Sequence, residues 1–252
     1  MALEFRHALV TGGGTGIGRA IAEALAAQGA EVTICGRRLE ALEKVAAGNS
    51  RIHPVAADVT DETSVSRLYE VAQAARGRFD VVIANAGMAA SSPAHRTTLD
   101  LWQQMIDVNL TGAFLAVRPA VESMRKAGRG RIVFIASIAG LKGAPYISAY
   151  VASKHGVVGL TRALAAELAQ TEITVNAVCP GYVETPMLER TIANIIEKTG
   201  RDEGSARSAV TKDNPQGRII APQEVADTVL WLCGEGARSV TGQAIAMSGG
   251  EI

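Results

Sequence analysis

Tyr150 and Lys154 stand four residues apart, the spacing that puts two side chains on one face of a helix. An ammonium beside a phenol favours the phenolate, so Lys154 is expected to draw Tyr150 down from the ordinary tyrosine pKa of about 10. A tyrosine tuned in that way exchanges protons near neutral pH. Ser137 lies upstream, and its hydroxyl suits a hydrogen bond to the oxygen that the tyrosine protonates. Near the start of the chain, Thr11-Gly-Gly-Gly-Thr-Gly16-Ile-Gly18 places glycines at 12, 16 and 18. Glycines in that pattern, between a strand and a helix, permit a tight turn, let backbone N–H groups approach a pyrophosphate and set the anion at a helix N-terminus. A dinucleotide seat and a proton donor together point to hydride transfer coupled to proton transfer.

Those groups must be held by a regular scaffold, and the hydrophobic pattern describes one. Short β-rich runs recur at His7 to Thr11, Glu31 to Cys35, Ile52 to Ala57, Val81 to Ala84, Arg131 to Ala136, Ile173 to Val178 and Gln243 to Met247. Several are apolar almost throughout, as in Ile132-Val-Phe-Ile-Ala136, which a strand covered by helices on both faces requires. Helical spacing marks Ile17 to Gln28, Glu40 to Ala47, Glu62 to Ala75, Leu99 to Ala127, Ala149 to Ala169 and Pro222 to Cys233. Strand and helix alternate, so the expected fold class is α/β, a doubly wound, mostly parallel seven-stranded sheet in one domain spanning 1–252. Pro119 is expected to kink or split the Leu99 to Ala127 helix. Residues 187–220 interrupt the tight alternation at the carboxyl end of the sixth strand, where ligands bind in open α/β sheets. They read as a substrate lid of one or two short helices.

Composition excludes several classes of function. Hydrophobic content of 48% with 20% charged residues is globular, and 25 basic against 25 acidic residues leave no field to attract nucleic acid or an anionic membrane. Cys35, Cys179 and Cys233 fit neither a disulfide framework nor a zinc site, and the four histidines (7, 53, 95, 155) have no metal spacing, so no metal is expected. The N-terminal stretch lacks the pattern of a signal peptide, and no apolar run approaches the roughly 18 residues of a membrane span. A soluble cytoplasmic protein acting on small molecules is the expectation.

The cofactor can be read more closely. Gly12, Thr15, Gly16, Ile17 and Gly18 form the diphosphate turn; Asp58-Val59 and Asn85-Ala86-Gly87 end neighbouring strands on the same sheet edge. The end of the second strand, where a carboxylate would bind the ribose of NAD, reads Cys35-Gly36-Arg37-Arg38. Two guanidiniums there favour a 2′-phosphate, so NADP(H) is preferred over NAD(H), with Arg37 the first choice of ligand and Arg38 the second. A further basic residue is missing just before Gly16, where Thr15 stands.

With Thr-Gly-x-x-x-Gly-x-Gly, Asn-Ala-Gly, Asn109, Ser137, Tyr-x-x-x-Lys and Pro180-Gly181 in order, the whole chain resembles a short-chain dehydrogenase/reductase of the compact type. The resemblance implies a Rossmann-type sheet of order 3-2-1-4-5-6-7 and a catalytic tetrad of Asn109, Ser137, Tyr150 and Lys154. It implies that Asp58 and Val59 contact adenine and that Asn85, Ala86 and Gly87 flank the ribose. Pro180, Gly181, Val183 and Thr185 would line the nicotinamide, with Tyr150 and Lys154 also touching the cofactor. It further implies a homotetramer packed through Leu99 to Ala127 and Ala149 to Ala169. Within the tetrad, Asn109 is expected to hold a water that passes protons to Lys154.

The substrate is less legible. Ile138, Gly140, Leu141, Tyr146, Tyr182, Met187 and Leu188 are expected near the pocket, mostly apolar, with Lys142 close by. The chain is similar to 3-oxoacyl thioester reductases acting on carrier-protein or coenzyme A substrates. Its longer lid is more reminiscent of reductases of cyclic, aromatic or polyketide ketones. Arg125, Lys126, Arg129 and Arg131 precede the fifth strand, at the edge opposite the active site, and read as a solvated surface.

Overall fold

A computed structural model describes residues 5–252; the first four residues of the expected domain lie outside it. Seven strands pair in the order β3-β2-β1-β4-β5-β6-β7, all parallel. They are β1 (His7–Thr11), β2 (Glu31–Gly36), β3 (Ile52–Ala56), β4 (Val81–Ala84), β5 (Arg129–Ile135), β6 (Glu172–Pro180) and β7 (Ala244–Met247). The central strands are apolar because helices cover both faces: every residue of β1 and of β4 is buried. On one face α1 (Gly16–Ala27), α2 (Leu39–Ala46) and α9 (Pro222–Cys233) bury Leu25, Leu42, Val229 and Leu232 against Val10, Ile34 and Ile83. On the other, α3 (Glu62–Arg76), α5 (Gly112–Ala127) and α6 (Ser148–Glu167) bury Leu68, Met124 and Val157 against Leu9, Val82 and Phe134. No helix among the described residues is long and apolar enough to cross a membrane.

The expected Leu99 to Ala127 helix is interrupted, although not where its proline suggested. Pro119 lies inside α5 without ending it. The break is a π turn at Asp107–Thr111, between α4 (Leu99–Ile106) and α5, and it carries Asn109. An inserted π turn re-aims a side chain without ending the helix, and such turns are frequent at functional sites.

Two helices occupy the expected lid: α7 (Pro186–Thr199) and α8 (Glu203–Thr211). The Thr185 hydroxyl caps α7 by accepting from the Leu188 N–H, and Gly200, with φ of 66°, ends it in the left-handed region. Asp202 caps α8 in the same way. The stems are pinned together, Glu184 N–H donating to Ile220 C=O (2.9 Å) and Ile220 N–H to Tyr182 C=O (2.9 Å).

Arg131 departs from the expected solvated surface. It is buried, its guanidinium stacks over Phe5 at 4.9 Å and donates to the Glu172 carbonyl at 2.9 Å. Its strand position, opposite Val81, carries it into the packed end of the sheet. Lys126 and Arg125 stay at the surface, paired with Glu122 and Glu167.

Candidate active site

The carboxyl ends of five strands meet in a cleft of about 1190 Å³, centred where the strand order reverses between β1 and β4. Thr11, the last residue of β1, organises its floor. Its hydroxyl accepts the Asn85 N–H (3.0 Å) and the Ala86 N–H (2.9 Å), while the Asn85 amide donates to the Thr11 carbonyl (2.8 Å). Asn-Ala-Gly is thereby fastened to the glycine turn across the strand pair. Gly12 has a φ of 67° and its N–H donates to the Cys35 carbonyl at 2.8 Å, a geometry that L residues seldom adopt. A Cβ on Gly18 would collide with the Asn85 amide and the Gly12 carbonyl. The turn therefore leaves room for backbone to approach a ligand, the cradle that a diphosphate requires.

Gly12, Thr15, Gly16, Ile17, Gly18, Arg37, Arg38, Asp58, Val59, Asn85, Ala86, Gly87, Tyr150, Lys154 and Thr185 all line this one cleft. Arg37 and Arg38 make no ion pair with any described residue, and no carboxylate stands at the end of β2. Asp58 is held below the ordinary carboxylate range by the Thr60 N–H and hydroxyl, with Arg37 adding in the same direction. The cleft thus suits a dinucleotide, with two cations at the adenosine end for a 2′-phosphate.

Tyr150 and Lys154 of α6 line the other end; Ser137, past the end of β5, accepts the Ala139 N–H at 3.1 Å and, like Asn109 of the π turn, lies outside that lining. Lys154 is buried, donates to the Ile135 carbonyl at 2.9 Å and sits 5.8 Å from the centre of the Tyr150 ring. Burial pushes the lysine down to about 8. Tyr150 differs from expectation in the direction of its shift. Burial raises its pKa and outweighs the opposing hydrogen bond from Ser137; Tyr182 and Cys179 push upward as well. The buried lysine, itself costly to charge, does not reverse that net direction.

Asn109 is buried, and its side chain ties two segments together. Its carbonyl oxygen accepts the Met88 N–H (2.8 Å) and its amide donates to the Met88 carbonyl (3.0 Å) and the Ser153 hydroxyl (3.1 Å). Ser153 in turn donates to the Tyr150 carbonyl at 2.7 Å. The side chain clamps the segment after β4 to the turn of α6 that bears the tyrosine.

Pro180, Gly181 and Val183 lie beyond the cleft lining, at the end of β6 where the Gly181 N–H donates to the Met247 carbonyl (2.9 Å). Among the expected pocket residues, Met187 lines the cleft, whereas Tyr146 and Tyr182 are exposed and outside its lining, Tyr182 close enough to act on Tyr150. Leu188 instead turns into a small core inside the lid, and Gly140 packs against the Lys154 backbone, where a Cβ would stand 2.7 Å from the carbonyl oxygen. Lys142 is paired with Glu251 of the C-terminal tail at 2.5 Å. Reading the sequence missed Ser153, Met88 and Arg190. Ser153, three residues past Tyr150, faces the π turn, and nothing in the local pattern announced that turn. Arg190, four residues past Pro186, could have been found from helical spacing, since Pro186, Met187 and Arg190 share the cleft-lining face.

A family profile described as short chain dehydrogenase matches residues 6–195. The cis-4-hydroxycyclohexanecarboxylate dehydrogenase of Sinomonas cyclohexanicum is 39% identical, over 97% of this chain and 96% of its own. The 3-oxoacyl-(acyl-carrier-protein) reductase of Thermotoga maritima is 37% identical over 100% of both. Among solved structures, a single-substitution variant of actinorhodin polyketide ketoreductase with NADPH superposes with a TM-score of 0.94 at 38% identity, covering 100% of this chain and 99% of that one.

Proposed function

This chain belongs to the short-chain dehydrogenase family, and from that premise we propose that it is an NADP(H)-dependent reductase of 3-oxoacyl thioesters. The observation that carries the reading is one cleft holding Tyr150 and Lys154 at one end, a glycine turn in the middle and two unpaired arginines at the other. When bound, the dinucleotide supplies the hydride that reduces the ketone to a secondary alcohol. Tyr150 donates its proton to the carbonyl oxygen, so that no bare alkoxide forms, and Ser137 donates a hydrogen bond to the same oxygen. Proton donation of this kind is worth about 10² to 10⁴ in rate. A phenol whose burial raises its pKa holds the proton until the oxygen becomes basic, which suits reduction. Lys154 keeps a positive charge below the tyrosine, and Asn109 positions the pair through Ser153. The glycine turn with Thr15 and Ile17 takes the diphosphate, Asp58 and Val59 the adenine, and Asn85, Ala86 and Gly87 the ribose; Thr185 takes the nicotinamide from the lining, backed by Pro180, Gly181 and Val183 from beyond it.

A second reading, reduction of a cyclic, aromatic or polyketide ketone, is favoured by the two-helix lid and by the exposed side chains of Tyr146 and Tyr182. Nicotinamide absorbance separates the two. Fast turnover of acetoacetyl-CoA with NADPH supports the thioester; a silent thioester beside an active bulky cyclic ketone transfers the assignment to the second reading. Faster turnover with NADH on either substrate overturns the 2′-phosphate assignment. A homotetramer packed through residues 99–127 and 149–169 is part of this reading, supported by the exposure of Leu99 and Trp102 on α4 and Phe114 on α5. Light scattering on the eluted protein tests it. A cytoplasmic location is proposed from the three free, buried cysteines.

A further inference from the structure

α7 has two working faces. Leu188 and Ile192 point into the lid, where they pack with Ala206 and Val210 of α8. Pro186, Met187 and Arg190 line the dinucleotide cleft instead, and Asn194, one turn farther along, donates to the Ser91 hydroxyl at 3.1 Å in the segment that follows Asn-Ala-Gly. The helix begins directly over the diphosphate turn: a Cβ on Gly16 would lie 3.0 Å from the Thr185 methyl. Arg190 is therefore carried on the cleft-facing side of a helix that starts against the glycine turn.

Charge makes that placement specific. A dinucleotide carries its diphosphate in the middle, yet the floor there, Gly12 to Gly18, offers backbone N–H groups and no cation, Thr15 standing just before Gly16. Arg37 and Arg38 belong to the adenosine end and Lys154 to the tyrosine end. Arg190 is the remaining lysine or arginine of the lining. The lid's other arginines with defined partners are engaged: Arg207 reaches Glu184, Glu189 and Glu203, and Arg218 holds Glu224 at 2.6 Å. Arg190 is exposed and makes no ion pair with any described residue.

We propose that Arg190 is the counter-ion of the cofactor's diphosphate, approaching from the side opposite the glycine turn, and that this contact draws the lid down when the dinucleotide binds. The assignment rests on the reading of the cleft as an NAD(P)-type site. It predicts a coupling in which the anion common to NADPH and NADH stabilises the lid position seen here, in which Arg190 lines the cleft.

Equilibrium binding of NADPH, NADH and 2′-AMP tests it, since 2′-AMP has the 2′-phosphate and lacks the diphosphate. Arg190→Ala is expected to weaken NADPH and NADH by the same factor, about tenfold for a lost charge-assisted hydrogen bond. It leaves 2′-AMP unmoved, and Arg190→Lys recovers part of the loss. Arg37→Ala is expected to weaken NADPH and 2′-AMP and to spare NADH. Amide hydrogen exchange over 186–211 should slow on NADPH addition in the wild type and not in Arg190→Ala. Unchanged NADH affinity in Arg190→Ala, or an equal loss for 2′-AMP, overturns the assignment. A wild type that prefers NADH, with Arg190→Ala still weakening it, overturns the 2′-phosphate reading alone and upholds Arg190. A wild type that binds neither dinucleotide overturns both.

Discussion

The floor of the cleft and the lid above it are built on opposite plans. The floor is backbone: Thr11, Gly12, Gly18 and Asn85 interlock through short hydrogen bonds, and the strands beneath them are buried by helices on both faces. The lid is a small unit of its own. Leu188, Ile192, Ala206 and Val210 form a separate core, with Ile195, Ile196 and Ile219 partly buried against it. Its two stems are bridged to each other at Val183 and Ile220, Arg207 ties the unit together through three glutamates of its own, and Asn194 reaches the Ser91 hydroxyl in the body. A segment with few apolar contacts to the body opens at low cost, whereas a turn knit into the central sheet opens only with global unfolding. The difference teaches a division of labour: rigid backbone sets where an anion and a proton donor lie, and a loosely attached helix pair admits and encloses the substrate.

Four expectations sharpen or break that contrast. The largest concerns chemistry on the rigid side: Tyr150→Phe is expected to lower kcat by about 10² to 10⁴ while leaving NADPH affinity near the wild-type value. Equal turnover in rapid-mixing assays would remove Tyr150 as the proton donor. Next, Gly18→Ala forces a methyl into the Asn85 amide and the Gly12 carbonyl. It should cost about 1 to 3 kcal/mol of stability and more than about tenfold in dinucleotide affinity, read from thermal unfolding and titration. A normal melting temperature with normal affinity would show that the floor is softer than argued.

The third expectation is a pH profile. Lys154 has its pKa lowered by burial to about 8, so it loses its charge as pH rises through that value while Tyr150, raised by burial, keeps its proton. kcat for reduction should be flat below about pH 8 and fall about tenfold per unit above it. A rate that climbs between pH 8 and 9 would contradict a role for the charged lysine. The smallest effect belongs to the lid. Ile192→Ala opens a cavity in a core of few residues, and a change that costs about 2 to 5 kcal/mol in a main core should here be spent on local opening. The expected result is a severalfold higher KM for the ketone with an almost unchanged melting temperature. A large fall in melting temperature would mean that the lid and the sheet unfold together.

Strand and helix periods were legible to within a few residues, because parallel strands buried on both faces read as unbroken apolar runs. The order 3-2-1-4-5-6-7 came from the resemblance to a family, and the paired strands agree with it. Where the reading went astray, a long-range contact overrode a local signal. Pro119 announced a break that the helix absorbs, while the π turn at Asp107–Thr111 has no such marker. Leu188 looked like a pocket residue until α8 supplied it with a core, and Arg131 looked solvated until Phe5 and the Glu172 carbonyl enclosed it.

From the chain alone came what spacing encodes: a glycine turn, a tyrosine and lysine one helical turn apart, arginines where a carboxylate would sit, and alternation that dictates a doubly wound sheet. Each of these is local, carried by residues close together along the backbone. Tertiary structure alone decided what depends on approach between distant segments. It set the direction of the Tyr150 shift, the clamp from Asn109 through Ser153, and the turning of Arg190 toward the cleft. Burial and charge are properties of neighbours in space, and the neighbours of these groups lie tens of residues away in the chain.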